Sequence, residues 1–300
     1  MKTIVTGALQ ATEEELNALA ALGLEITLYP DERAPVESPE QYEAAVCNGL
    51  FLYNDISAFS SLRYIQLTSA GFDRVPMDYV RAHDIEIRNA AGVYAAPMAE
   101  WTVMRLLELY KNAAALFEDR GWVKDRSWRE LGGKTACIVG FGAYGQETAK
   151  RLKAFGVRVL VVNRTKKESP YMDEYYPMDR LDEALAQADA VILAVDLTEE
   201  TKHLMDAARF AAMQPGAVFL NAARGGLVDE AALLNALDGG RLSGAALDVF
   251  ETEPLPEDSP LRGRKNLLLS PHNSFVGEGN HGRLLDKVIQ NMIDTGCVTA

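Results

Sequence analysis

The chain has 300 residues, 48% of them apolar, with 30 basic and 43 acidic side chains and a formal net charge of −13. That composition is globular, with core enough for two domains, and its negative field excludes nucleic acid and anionic membrane surfaces as partners. Cys47, Cys137 and Cys297 lack metal-ligand spacing, so neither a metal site nor a disulfide is expected, and with no membrane-length apolar run and no signal-peptide pattern a cytoplasmic protein is expected.

In chain order, the first third alternates short β-rich runs (Thr3 to Thr6, Glu25 to Tyr29, Gly49 to Tyr53, Tyr64 to Thr68, Glu86 to Asn89) with helical segments at Glu13 to Leu22 and Val75 to His83. The alternation predicts a parallel α/β sheet. A longer helix is predicted from Pro97 to about Leu116, with Pro97 suited to its first turn and Met98, Trp101, Met104, Arg105 and Leu109 at helical spacing. It reads as a bridge into a second α/β series. That series has buried strands at Thr135 to Val139, Val157 to Val162, Ala190 to Val195, Ala217 to Asn221, Gly244 to Val249 and Asn266 to Leu269. After Ser274 only one helix remains, Gly282 to Met292, which should fold back onto the first domain. The fold class expected is α/β, with two Rossmann-like domains of doubly wound parallel sheet. Residues 1–96 plus 275–300 form a discontinuous, flavodoxin-like, substrate-binding domain, and 97–274 a NAD(P)-binding Rossmann domain, with the active site in the cleft between them.

The second series opens on a dinucleotide fingerprint. The apolar run Thr135 to Val139 leads into Gly140-Phe141-Gly142-Ala143-Tyr144-Gly145, then a helical pattern from Gln146 to Phe155 and a second β-branched run. In such a unit the first glycine permits a tight turn, the second lets the backbone approach a pyrophosphate, and the third lets helix and strand pack closely. The helix N-terminus then faces the phosphate. Where a site for NAD would offer Asp or Glu to the ribose hydroxyls, this chain has Asn163-Arg164-Thr165-Lys166-Lys167. A carboxylate would repel a 2′-phosphate, whereas Arg164 can pair with one and Asn163 and Thr165 can hydrogen-bond to it. NADP(H) is therefore the expected cofactor, with NAD(H) second. A merely solvated basic loop is the competing reading of the same residues.

Three further segments place polar groups where strands of the second series end: Asn221 to Gly226 with Arg224, Asp248 to Pro254 with Asp248, Glu251 and Glu253, and Ser270 to Asn273 with His272. Such carboxyl ends face the ligand crevice of an open α/β sheet. Hydride transfer to a ketone needs a proton donor active near neutral pH, which is the range of histidine. It also profits from a carboxylate that orients the imidazole. An arginine fork suits a substrate carboxylate. Spacing alone does not choose between Glu251 and Glu253, and Asp248 could equally cap the next turn. His83, His203 and His281 read as surface histidines without converging partners.

These segments, with the fingerprint, resemble the D-isomer-specific 2-hydroxyacid dehydrogenase family over nearly the whole chain. The most specific pieces are NAARGGLVDEAALLNAL, GAALDVFETEPL and LLSPH, with AGFDRVPMD and NAAGVYAAPMAEW similar to the family's substrate and cofactor loops. The resemblance implies that Arg224 binds the substrate carboxylate, that Glu253 is the carboxylate partner of His272, and that His272 is the general acid or base. It also implies that Asp248 bonds the nicotinamide carboxamide, that backbone groups at Ala70 and Gly71 receive the substrate carboxylate, that Val93 lies near the nicotinamide, and that the protein is a homodimer. Departures lie at Asp196-Leu197-Thr198 and at Asn273 to Gly277, where Phe275 would narrow a pocket without removing a catalytic group.

The expected activity is reduction of a small 2-oxo acid such as glyoxylate or hydroxypyruvate by NADPH to a D-2-hydroxy acid. One rival is an NAD-dependent D-3-phosphoglycerate or D-lactate dehydrogenase. The loop Asn54 to Ser57, without an arginine for a substrate phosphate, speaks against the phosphoglycerate reading. The other rival is an NADP(H)-sensing binding protein, which would have no need to keep Arg224, Glu253 and His272 together.

Overall fold

A computed structural model describes residues 1–113, 124 and 126–298. The chain forms two compact units, Met1–Tyr94 with Gly277–Ala300, and Ala95–Val276. Phe275 and Val276 stay with the second unit, two residues beyond the expected boundary at Ser274.

The first unit is built on a five-stranded parallel sheet: β1 (Lys2–Thr6), β2 (Glu25–Tyr29), β3 (Ala44–Cys47), β4 (Tyr64–Leu67) and β5 (Glu86–Arg88), in the order β2-β1-β3-β4-β5. That is the flavodoxin-like order. Its central strands are buried on both faces, as a sheet covered on two sides requires. Helix α1 (Glu13–Ala21) starts on a capping box in which Thr12 and Glu15 satisfy each other's backbone N–H.

The β-run expected at Gly49 to Tyr53 is a correction. Leu50–Tyr53 forms the short helix α2, and the strand lies just before it at Ala44–Cys47. The run Leu50-Phe51-Leu52-Tyr53 buries two neighbours and exposes the next two. That pattern has no period of two, and the Ala-rich strand ahead of it carries little β signal of its own. Helix α3 (Met77–Ala82) lies between β4 and β5 in sequence.

The tail forms helix α9 (Asn280–Asp294), which buries Leu284, Val288, Asn291 and Met292 at spacings of four, three and one. It packs with Val5, Leu19, Ala44 and Tyr64 of the first unit. Asn291 carries a polar anchor into that core, donating to Gln66 Oε1 at 2.9 Å and to Asn89 O at 3.1 Å.

The second unit opens with α4 (Ala95–Tyr110); the end expected near Leu116 lies outside the described residues. It then builds a seven-stranded parallel sheet from β6 (Thr135–Val139), β7 (Arg158–Val162), β8 (Glu174–Tyr176), β9 (Ala190–Leu193), β10 (Ala217–Asn221), β11 (Leu242–Leu247) and β12 (Leu267–Leu269). The order β12-β11-β10-β9-β6-β7-β8 reverses direction between β6 and β9. Alternate residues serve opposite faces. Cys137, Val139, Leu160 and Val162 pack in one core with Phe210 and Leu233, while Ile138, Val159 and Val161 pack in another with Trp101, Leu106 and Leu152. Helix α5 (Ala143–Ala154) covers the second face with α4, and α6 (Leu181–Leu185), α7 (Ala207–Ala212) and α8 (Glu230–Asp238) contribute to the first. Phe210 meets Phe219 edge to face at 5.2 Å, a contact worth about 0.5–1.5 kcal/mol beyond its buried area. β8 was not anticipated; it is a three-residue edge strand. Among the described residues no helix is long and apolar enough to cross a membrane.

Candidate active site

The reversal of strand order between β6 and β9 opens a crevice at their carboxyl ends, and the glycine turn sits there. Gly140 has φ +99°, and a Cβ on it would come within 2.2 Å of Ala194 O; one on Gly145 would come within 2.3 Å of Gly140 O. Both positions are closed to any side chain by backbone. Gly142, the N-cap of α5, is different: a Cβ there meets nothing within 4 Å. Open space directly before a twelve-residue helix, at the positive end of its dipole, fits a dinucleotide pyrophosphate. Ala143 and Tyr144 open that helix. The Tyr144 hydroxyl pairs with Thr102 Oγ1 at 2.7 Å, and burial pushes the phenol above its ordinary range, so Tyr144 would serve a nucleotide through its backbone.

Past β7, the Asn163 side chain is occupied in shaping its loop. Its Oδ1 accepts from Phe141 N at 3.3 Å and its Nδ2 donates to Thr165 O at 2.8 Å. Arg164 and Thr165 are exposed beside it. Lys167, absent from the expected set, donates to Phe141 O within the glycine turn at 3.1 Å. A run of polar residues after the strand was the signal, but spacing could not say which of them folds back.

Arg224 is half-buried at the turn after β10, with its Nη1 donating to Ala223 O at 2.8 Å. Asn221 sets that turn by accepting from Ala223 N at 3.0 Å and donating to Arg224 O at 2.9 Å. The next residue must be glycine: a Cβ on Gly225 would lie 1.9 Å from the Phe250 carbonyl carbon and oxygen. The Arg224 turn thus rests directly on the segment that leads to Glu253.

Asp248 is fully buried at the end of β11. Its carboxylate accepts from Ser270 Oγ (2.6 Å), Asn273 N (3.0 Å) and Ser274 N (2.8 Å), and its carbonyl accepts from His272 N at 2.8 Å. Trp101 Nε1 completes the chain by donating to Ser270 Oγ at 3.0 Å. These bonds hold His272 at φ +50°, a backbone conformation that costs a non-glycine residue about 1–3 kcal/mol and persists only where the surroundings impose it. The Asp248 carboxylate thus braces the histidine loop.

The histidine so held presents Nδ1 to Glu253 Oε2 at 2.7 Å, and Glu253 Oε1 accepts from Phe250 N at 3.0 Å. The imidazole is 39% exposed, and the ring nitrogen engaged by Glu253 is Nδ1. Glu253, and not Glu251, is the partner that spacing could not choose. The Phe275 ring stands edge-on to the imidazole, with centroids 6.2 Å apart.

Ala70 and Gly71 lie in the first unit, in the turn after β4. Asn89 Nδ2 donates to Ala70 O at 2.6 Å and Ser69 Oγ to Gly71 O at 3.2 Å, so the turn is fixed from both ends. Val93 is buried in that unit, and its carbonyl accepts from Arg283 Nε at 2.8 Å. The other histidines lie at the surface as expected, but each has a partner, which is a correction. His83 stacks on Tyr79 at 3.8 Å, His203 lies 3.4 Å from Glu251, and His281 meets Glu15 at 2.8 Å. The last two contacts span long stretches of chain, and no sequence signal points to them.

Two family models match: the D-isomer specific 2-hydroxyacid dehydrogenase catalytic domain over residues 10–167 and its NAD binding domain over residues 101–274. A glyoxylate reductase from Korarchaeum cryptofilum is 30% identical over 90% of this chain and 86% of its own length. A hydroxypyruvate reductase from Thermotoga maritima is 34% identical over 72% of each. Among solved structures, a D-isomer specific 2-hydroxyacid dehydrogenase from Xanthobacter autotrophicus Py2 in complex with NADPH and MES superposes with a TM-score of 0.80. It is 27% identical, and the match covers 98% of this chain and 95% of that one.

Proposed function

The chain belongs to the D-isomer-specific 2-hydroxyacid dehydrogenases, and within that family we propose that it is an NADPH-dependent reductase of small 2-oxo acids of the glyoxylate and hydroxypyruvate kind. The observation that carries the reading is the His272–Glu253 pair at 2.7 Å, together with the half-buried Arg224 and an arginine after β7 in place of a carboxylate.

The glycine turn and the N-terminus of α5 suit a dinucleotide, with Gly140, Gly142, Ala143, Tyr144 and Gly145 around the pyrophosphate and Arg164 and Thr165 at the 2′-phosphate. A bound nicotinamide supplies a hydride. Everything else falls to the chain. Arg224 takes the substrate carboxylate in a charge-assisted, forked pair; by family resemblance the backbone at Ala70 and Gly71 takes it too. His272, protonated before the reaction, delivers a proton from Nε2 to the oxygen that becomes the hydroxyl. Glu253 accepts the Nδ1–H and orients the ring so that the Nε2 proton faces the reacting oxygen. Asp248 keeps the loop in place, and Asp248 contact with the carboxamide, implied by resemblance, adds to that role. A homodimer completes the reading, again by resemblance.

The test is oxidation of NADPH and of NADH, in parallel, by the purified protein given glyoxylate or hydroxypyruvate. Turnover with NADPH preferred supports the reading. Equal use of both cofactors removes the Arg164 assignment, and nucleotide binding without turnover of any 2-oxo acid favours the sensor.

A further inference from the structure

Two acids outside the proton-transfer pair join the turn that carries Arg224 to the turn that carries Glu253. Glu230, the first residue of α8, donates its backbone N–H to Glu251 Oε1 at 3.2 Å, and Glu251 donates its own to Glu230 Oε1 at 2.8 Å. Each side chain caps the other's main chain across 21 residues of sequence, so neither bond is a local turn.

A third segment joins them. His203 Nε2 lies 3.4 Å from Glu251 Oε1, and the His203 N–H donates to Gly226 O at 2.8 Å. Met205 N donates to Leu227 O at 2.9 Å, and Asp229 N to Met205 O at 3.0 Å. With Gly225 packed on the Phe250 carbonyl, the segments 203–205, 225–230 and 250–251 are linked side by side. The arrangement is not cheap. Burial pushes the Glu230 carboxyl up from its ordinary value, and the nearby charge of Glu251 adds to the effect. Among the described residues no group of three or more His, Cys, Asp or Glu is arranged to hold a metal ion.

We propose that Glu230 and Glu251 are positioning residues for the reduction, whose reciprocal capping fixes the spacing between Arg224, which takes the substrate carboxylate, and the His272–Glu253 pair, which moves the proton. The inference rests on the function proposed above. Displacing one of these groups from the other is the kind of error that lowers turnover without touching the chemistry of either.

Glu230→Ala, Glu251→Ala, the double Ala variant, Glu230→Gln and Glu251→Gln test it, with kcat/KM for glyoxylate, the Kd of NADPH and the melting temperature measured on each. Each Ala variant should lose roughly ten- to a hundredfold in kcat/KM with NADPH affinity unchanged. The double variant should be no worse than the worse single one, because the two bonds act as a unit. Each Gln variant keeps a carbonyl oxygen to accept the partner's N–H and should recover most of the loss. Ala variants within about twofold of the parent protein would overturn the proposal; so would losses that follow NADPH affinity or melting temperature alone, or Gln variants as impaired as Ala.

Hydrogen exchange at the Glu230 and Glu251 amides needs no substrate and separates this proposal from the function it rests on. Slow exchange at both amides, lost in either Ala variant, upholds the clamp even if no 2-oxo acid is turned over. Fast exchange in the parent protein, or protection that survives both Ala substitutions, overturns it whatever the substrate.

Discussion

His272 Nδ1 lies 2.7 Å from Glu253 Oε2, and the second oxygen of the same carboxylate accepts the Phe250 N–H at 3.0 Å. The carboxylate is thus fixed to its own backbone before it fixes the imidazole. Glu253→Gln keeps the shape but offers an amide that has no charge and can present either of two atoms to Nδ1. We expect kcat to fall by about tenfold or more, with NADPH affinity unchanged. Steady-state rates beside a nucleotide titration check this; an unaltered kcat would show that the pair is structural.

On the function proposed above, the loop after β7 carries the choice of cofactor. Asn163 is spent on the loop itself, so the exposed Arg164 is left as the principal partner for a 2′-phosphate. A charge-assisted hydrogen bond of that kind contributes about 1.5–3 kcal/mol, or roughly ten- to a hundredfold in affinity. Arg164→Ala should weaken NADPH by that factor and leave NADH nearly untouched, as isothermal titration would show. Equal weakening of both would place the arginine elsewhere on the nucleotide.

Two glycines make opposite predictions. A Cβ on Gly142 meets nothing within 4 Å, whereas one on Gly225 lands 1.9 Å from the Phe250 carbonyl. Gly142→Ala should therefore melt close to the parent protein yet bind NADPH poorly, because the methyl enters the space the pyrophosphate needs. Gly225→Ala should lose at least about 1–3 kcal/mol, a fall of several degrees in melting temperature. Calorimetry and NADPH binding on the two variants distinguish the cases, and a stable, active Gly225→Ala protein would contradict the packing.

Thiol chemistry offers a check on burial. Cys47 and Cys137 are buried and Cys297 is partly exposed. Burial pushes the Cys137 thiol up to about 12 and the Cys47 thiol up as well, so the reactive thiolate is disfavoured at both. An aromatic disulfide reagent at pH 8 should label Cys297 quickly and the other two only after unfolding. Fast labelling of Cys137 in the native protein would show that the core around β6 opens.

Much of the fold was legible because many of its strands, though only three to six residues long, are apolar runs, several of them flanked by glycine, and because the glycine turn directly follows β6, the first strand of the second unit. What failed was short or non-local. Ala44–Cys47 is a strand on account of its neighbours in the sheet, and the apolar run after it looks like a strand only until its burial is known. The motifs pointed to Arg224, Glu253 and His272, but not to the buried bracing around them. Trp101 reaches Ser270 across 169 residues, and Glu230 reaches Glu251 across 21. Such contacts depend on how helices and turns pack, which neither periodicity nor spacing encodes. Asp248 shows the same limit: its position was found, while its three bonds to the histidine loop became visible only in the fold.

In the proposed reduction His272 gives the proton that accompanies hydride transfer. The most direct measurement is single-turnover oxidation of bound NADPH by glyoxylate or hydroxypyruvate in the parent protein and in His272→Ala, with NADPH affinity measured on both. The rate should fall by about 10²–10⁴ in His272→Ala, as for a lost general acid, at unchanged NADPH affinity. Equal rates in the two proteins would contradict it and take His272 out of the mechanism.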